Sequence, residues 1–361
     1  MNSLFRKTYG DKKVFITGHT GFKGAWLSLW LQQLGAEVKG YALAPAGQSL
    51  YRLLGKNTEV QSVIADIRNR SMISRELKNF RPDYIFHLAA QPLVRHSYLH
   101  SAETFEVNAM GTVNLLDALS ALNNPCAAVI VTTDKVYENK GGEKVYTEND
   151  RLGGHDPYSA SKACAEIIVQ SYRLSFFNPA HYDRHRKSIA TARAGNVIGG
   201  GDFSEDRIIP DLFRTLQKNR PLHIRNPHSV RPWQHVLDPL AGYLLLGAKM
   251  TSGKKPVSDA YNFGPGKDEL MSVETLVQKA ITAYGKGKYV IAKKDEQPHE
   301  ADFLVLDNSK ARRELGWKPV YNTERAIKNT MEWYKKSLEK SMGIFDLCVN
   351  EIENFTSAKT P

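Results

Sequence analysis

Short apolar runs alternate with amphipathic stretches along the first half of the chain. Apolar runs at residues 13–17, 37–42, 61–65, 84–88, 127–132 and 189–193 have the length and β-branched content of buried strands. Between them the hydrophobic period is helical. It predicts helices over 22–34, closed by Gly35, and over 70–80, stopped ahead of Pro82. Two more are predicted over 101–122 and over 157–177, the second with Pro157 in its first turn. Trp26 and Trp30 lie one turn apart on the first of these helices, the spacing of a core or interface stripe.

Repeated strand–helix units imply a doubly wound, parallel, Rossmann-type α/β sheet with right-handed crossovers. Ligands of such sheets bind at the carboxyl ends of the strands. After Asn196 the rhythm changes: Gly199-Gly200-Gly201-Asp202 and several prolines break it, and the elements become shorter and mixed. The expected organisation is a dinucleotide-binding domain over 1–195 and a smaller, interleaved α/β substrate-binding domain over 196–361. A return segment over about 232–262, with a helix over 236–250, belongs to the first. Residues beyond about Asn350 are expected to be loosely held.

Composition narrows the class. Hydrophobic content of 42% and charged content of 24% over 361 residues are those of a soluble globular protein. There is no apolar run of about eighteen residues or more, so no transmembrane helix is expected, and the start, MNSLFRKTYGDKK, lacks the apolar core of a secretory signal. Cys126, Cys164 and Cys348 are odd in number and far apart, which fits reduced thiols in a cytoplasm and no disulfide framework or metal site. The net charge of +11 is scattered rather than gathered with aromatics on one element. It fits attraction of small anions better than nucleic-acid binding.

Two patterns carry chemistry. Gly18-His19-Thr20-Gly21-Phe22-Lys23-Gly24 joins the first strand to the first helix. Glycines there let the backbone turn and let a pyrophosphate approach, and the helix N-terminus offers dipole and N–H groups. The acid expected at the end of the second strand to hold ribose hydroxyls is absent. Asp66, after the third strand, is better placed for the adenine side. Tyr158 and Lys162, one helical turn apart, form the second pattern. An ammonium beside a phenol favours the phenolate, so the pair can serve as a base although free tyrosine titrates near ~10.

Together with VFITGHTGFKG, HLAAQ (His87 to Gln91), VTTDKVYEN (Val131 to Asn139), YSASK and RAGNVIGGGD (Arg193 to Asp202), these patterns resemble the extended short-chain dehydrogenase/reductase family over essentially the whole length. The closest resemblance is to its nucleotide-sugar 4,6-dehydratases. It implies NAD, held by Gly18, Thr20, Gly21, Phe22, Lys23, Gly24, Asp66, Ile67, Ala89, Ala90, Gln91, Asn108, Tyr158 and Lys162. It implies CDP-glucose as the nucleotide-sugar substrate, with Asn196, Arg207, Arg231, His299 and Glu300 as contacts. It also implies a cycle in which Tyr158, helped by Lys162 and Thr133, oxidises hexose carbon 4, water leaves across carbons 5 and 6, and hydride returns to carbon 6. Asp134 matches the acid for water loss. Many relatives carry Glu next, as the base; this chain has Lys135. Lys135 accepts a proton only as a neutral amine, which burial and neighbouring positive charge favour. Otherwise its charge positions substrate. His87, flanked by Phe86 and Leu88, reads as structural.

Relatives pair through the helices over 101–122 and 157–177, so a homodimer or a dimer of dimers is implied, with Leu115, Leu116, Leu119, Ile167 and Ile168 as the apolar supply. Two other classes stay open. One is a 4-epimerase or a dehydratase for a UDP-, dTDP- or GDP-hexose; the Asp134-Lys135 pair speaks against simple epimerisation, which needs no elimination. The other is a non-catalytic binding protein, against which the intact Thr133, Tyr158 and Lys162 set speaks.

Overall fold

The computed structural model describes residues 1–45, 47–252, 257–292, 303–339 and 342–358. Its main sheet is parallel and seven-stranded. Strand β1 (Lys13–Thr17) lies between β2 (Glu37–Ala42) and β4 (Tyr84–His87). β2 continues to β3 (Gln61–Ile64), and β4 to β5 (Cys126–Val131). Beyond β5 come Lys187–Ala194 and then Ala260–Phe263 at the edge. The chain winds one way from β1 to β3 and the other from β4 onward, so the crevice opens at the carboxyl ends of β1 and β4.

Alternation along each strand splits its side chains between two cores. Val14 and Ile16 enter one core and Phe15 the other; Ala127, Val129 and Val131 oppose Ala128 and Ile130 in the same way. Six of the seven strands fall where the apolar runs place them. The seventh, Ala260–Phe263, escapes that pattern because Asn262 sits in its middle. Asn262 is fully buried, and its amide donates to the carbonyls of Tyr146 and Asp307, which lets a polar residue occupy a central position.

Helix α1 (Asn2–Tyr9) precedes the sheet, and α2 (Phe22–Gln33) follows β1. Then come α3 (Leu50–Leu54), α4 (Arg70–Phe80) and α5 (Val94–Leu99). The expected single helix over 101–122 is α6 (Ser101–Phe105), a π-helical turn over Glu106–Met110, and α7 (Gly111–Ser120). Such turns often mark functional sites, and this one aims Asn108 inward. Helix α8 (Pro157–Ser175) starts with Asp156 accepting from the Ser159 N–H at 3.0 Å. Later in the chain, Leu237–Met250 packs back on β5.

Two expectations are corrected. The end of the described chain is helical, Ile344–Ser357, with Leu347, Cys348, Ile352 and Phe355 buried. Their spacing is a helical stripe that seats on α2, where the Phe355 ring meets Trp30 edge-on at 5.7 Å. The two tryptophans are therefore core. Replacing Phe355 by Ala should lower stability by about 3–5 kcal/mol, the usual range for such a cavity. Urea unfolding checks this; a change below about 1 kcal/mol would mean that the last helix is not part of the cooperative core. The second correction concerns the proposed dimer face. Leu115, Leu116 and Leu119 are fully buried against the sheet within one chain, and Ile168 packs on the same core. The exposed apolar side chains in that region include Met110, Ile167, Leu174 and Phe176.

Candidate active site

Where β1 ends, the chain turns through Gly18 with φ of +80°, and a Cβ there would lie 2.7 Å from the Ala89 nitrogen. Gly24, in the first turn of α2, approaches so closely that its Cβ would meet the Gly18 oxygen at 2.0 Å. Only glycine fits at either place. Thr20 Oγ1 ties the loop to the Leu43 carbonyl at 2.9 Å. His19 turns away: its Nε2 meets Ser62 Oγ at 2.7 Å, and burial lowers its pKa to about 4. Gly40 in β2 makes room for that ring, since a Cβ would meet the imidazole at 2.3 Å.

A cleft of about 580 Å³ runs from this loop to Arg225, within the usual range for a ligand site. Asp66 and Ile67 form one wall. Arg68 grips the Asp66 carboxylate, at 2.7 Å from Oδ2, and its hydrogen bonds hold that group below the usual carboxylate range. No acid follows β2; the chain there reads Leu43-Ala44-Pro45. Ala89 and Ala90 line the opposite wall. Gln91 and Asn108, expected on the cofactor, are not among the residues lining the cleft. Asn108 accepts from the Gln91 N–H at 2.9 Å and donates to Ser161 Oγ at 2.9 Å, tying the wall to α8. These bonds hold the Gln91 backbone against α8. His87 is likewise fully enclosed, between Thr17 Oγ1 at 2.7 Å and Thr112 Oγ1 at 3.3 Å.

Just after β5, Thr133 caps a short 3₁₀ turn over Asp134–Val136, and Thr133, Asp134 and Lys135 line the same cleft as Tyr158 and Lys162. Thr133 donates to Asp134 Oδ1 at 2.9 Å. Asp134 Oδ2 has no hydrogen-bond partner among the described residues and lies against Gly195, where a Cβ would sit 2.9 Å away. Burial raises the Asp134 pKa, while Lys135, Thr133, Arg231 and Lys23 oppose it. A buried carboxyl with one free oxygen can hold a proton and deliver it.

The tyrosine–lysine pair departs from expectation. Burial raises the Tyr158 phenol to about 12, with only the Thr133 hydrogen bond and Arg207 pulling it back. Lys162 is turned toward the Val131 carbonyl, at 3.1 Å, and burial lowers its pKa to about 8. Desolvation is the largest cause of both shifts. Behind them, Glu166 accepts from Thr132 at 2.5 Å, Thr191 at 2.8 Å and Arg193 at 2.8 Å. All four are buried. This network registers the end of β5 against α8, and so Thr133 against Tyr158.

Of the expected substrate contacts, Asn196, Arg207 and Arg231 line the cleft. Arg207 sits 3.4 Å from Asp202, and Arg231 is buried. His299 and Glu300 lie outside the described residues. Sequence reasoning assigned Lys23 to the loop and missed its side chain. The ammonium enters the cleft floor 3.4 Å from the Tyr243 hydroxyl, and burial, with Arg207 beside it, lowers its pKa to about 7. The available signal was a lysine in the otherwise apolar first turn of α2. Arg95, His223 and Arg225 also line the cleft from segments that carry no motif.

Comparisons with known proteins agree with this architecture. The family described as GDP-mannose 4,6 dehydratase matches residues 15–330. The chain is 44% identical over 350 residues to a CDP-glucose 4,6-dehydratase of Salmonella typhimurium, covering 97% of each. Among solved structures, an epimerase from Methanothermobacter thermautotrophicus superposes with a TM-score of 0.81 at 22% identity, covering 94% of this chain and 96% of that one. The dTDP-glucose 4,6-dehydratase DesIV from Streptomyces venezuelae gives a TM-score of 0.75 at 22% identity, covering 92% and 99%. A parallel sheet with its glycine loop at the switch point, a Tyr–Lys helix facing a Thr-Asp-Lys turn, and a match over most of the length lead to one assignment: the chain belongs to the GDP-mannose 4,6 dehydratase family of extended short-chain dehydrogenase/reductases.

Proposed function

We propose that the protein is an NAD-dependent lyase that converts CDP-glucose to CDP-4-keto-6-deoxyglucose. The observation that carries this reading is Asp134 and Lys135 placed beside Thr133 and Tyr158 in one cleft, in a chain 44% identical to a CDP-glucose 4,6-dehydratase over 97% of both lengths. The residues fit NAD: the Gly18 and Gly24 backbone makes a cradle that any Cβ would fill, at a helix N-terminus. Bound there, NAD would supply a hydride acceptor for carbon 4 and a hydride donor for carbon 6. The chain's own groups do the rest. Tyr158 takes the proton of the carbon 4 hydroxyl, with the Thr133 hydroxyl on the same oxygen. Burial leaves the phenol hard to ionise, so a nearby positive charge is needed to stabilise the phenolate before it can act as the base. Lys135 removes the carbon 5 proton, made acidic by the adjacent ketone, and Asp134 protonates the departing carbon 6 hydroxyl. Arg207, Arg231 and Asn196 hold the diphosphate, Arg as a planar fork.

Incubation with NAD and a panel of nucleotide hexoses, read by mass, tests this. Loss of one water from CDP-glucose well ahead of dTDP-, UDP- and GDP-hexoses is expected. Epimerised sugar of unchanged mass, or clear preference for another nucleotide, would overturn it.

The cofactor reading has its own test. With no acid after β2 and Asp66 engaged by Arg68, the ribose is weakly held, so the protein should purify partly empty and gain activity on adding NAD. Lys39 is paired with Glu76 at 2.7 Å and is not placed to receive a 2′-phosphate. Titration should favour NAD over NADP; the reverse preference would point to Arg52.

The reading extends to a cytoplasmic homodimer, supported by the unpaired Ile167 and Leu174, one heptad apart on α8, and by Met110. Light scattering should give a dimer, and Ile167→Lys should weaken it. A monomer at micromolar concentration for the unsubstituted chain would refute the pairing.

A further inference from the structure

His96, His100 and Glu103 take no part in the chemistry above. Their spacing is that of successive turns of one helix face. The helix breaks at His100, between α5 and α6, with φ of −134° and ψ of 59°, but the His100 N–H still donates to the His96 carbonyl at 2.9 Å and keeps the two segments stacked in register. One donor atom from each side chain lies within 4.8 Å of the other two. His96 Nε2 is 3.4 Å from Glu103 Oε2, and the two imidazoles stack with centroids 4.4 Å apart.

We propose that His96, His100 and Glu103 form a site for a divalent transition-metal cation of the zinc, cobalt or nickel class. Two imidazoles and a carboxylate suit such ions, whereas magnesium and calcium prefer all-oxygen sets. A tetrahedral ion with bonds near ~2.0–2.1 Å needs donors roughly 3.3 Å apart. His96 and Glu103 already stand at 3.4 Å. The third donor, within 4.8 Å, needs to close by roughly 1.5 Å at most, well within the rotamer motion of an exposed side chain. His96 and Glu103 are partly exposed, at 40% and 44%, which leaves the fourth position to water. A surface ion pair would need only His96 and Glu103; His100, stacked on His96, supplies the further donor. The three scattered cysteines speak against a thiolate metal site but do not bear on this histidine and carboxylate set.

The place is consequential. Ser97, next to His96, accepts the Tyr158 N–H at 3.1 Å, and Arg95 lines the cleft. A cation here would fasten the segment that caps the Tyr158 helix.

The test uses the full-length protein, stripped with a chelator and titrated with Co²⁺ by visible absorption. One Co²⁺ per chain is expected, with bands displaced by Zn²⁺ and unaffected by excess Mg²⁺. His100→Ala and Glu103→Gln, each shown folded by circular dichroism, should weaken binding by more than the ~10–100-fold that loss of an outer-shell partner costs. His181→Ala, which removes an exposed histidine elsewhere, should leave it unchanged. Absence of a saturable Co²⁺ site, or one that survives His100→Ala and Glu103→Gln with equal affinity, would overturn the assignment.

Discussion

Replacing Tyr158 by Phe should lower turnover by at least about 10²–10⁴-fold, the range general-base catalysis contributes, while CDP-glucose binding changes little. The side chain stands in the cleft wall at the start of α8, and Phe fills the same volume with the same rotamers. What is lost is the phenol oxygen, its hydrogen bond with Thr133, and the only phenolic acceptor placed beside that hydroxyl among the described residues. Arg207 and Arg231, the proposed diphosphate contacts, are untouched, so the effect should fall on kcat and leave KM near its starting value. Because burial raises the phenol to about 12, the base forms only where neighbouring positive charge supports it. Lys162→Met should therefore also cut turnover, with the loss partly recovered at higher pH, where more phenolate forms without help. Near-normal turnover of Tyr158→Phe would remove Tyr158 from the mechanism.

How much of this was legible in the chain depends on the range over which each signal acts. The strands were readable because each is a local apolar run, and Ala260–Phe263 was not, because Asn262 is satisfied by carbonyls from Tyr146 and Asp307 far along the sequence. The final helix was misread because chain ends are usually loose, although its Leu347, Cys348, Ile352 and Phe355 stripe was present in the sequence. Leu115, Leu116 and Leu119 show the reverse failure: an apolar helix face is visible in sequence, but whether a sheet or a second copy covers it is not. In the site, the motifs brought together Gly18, Thr133, Asp134, Tyr158 and Lys162 as expected. What they could not convey is desolvation. The rise of the Tyr158 pKa, and the orientation of Lys162 toward Val131, follow from burial and from a main-chain carbonyl, neither of which a spacing encodes.

The Lys135 position separates the two roles a lysine can take there. If Lys135 removes the carbon 5 proton, Lys135→Met should still oxidise carbon 4, because that step uses Tyr158, Lys162 and Thr133. Reduced nicotinamide absorbance should then appear on rapid mixing with CDP-glucose and persist, with product formation lowered by about 10²–10⁴-fold and no deuterium entering carbon 5 from heavy water. Asp134→Asn should stall at a neighbouring point for a different reason. Asparagine keeps the shape and can still accept from Thr133, but it has no proton to give, so hydroxide must leave unprotonated. Exchange at carbon 5 should continue in that variant while water loss fails, which distinguishes acid from base. If instead Lys135 only holds substrate by its charge, Lys135→Met should raise KM and leave the later steps nearly intact. The burial of Asp134, with one carboxyl oxygen unpartnered among the described residues, favours a proton carrier at that position. Lys135 is half-buried at the cleft surface beside it, within the same 3₁₀ turn, so the proposed acid and the proposed base are neighbours in the chain and line one cleft. Normal turnover with full deuterium incorporation in Lys135→Met would show that the base is another group, and the neighbouring cleft amine of Lys23, lowered to about 7 by burial, would then be the next to replace.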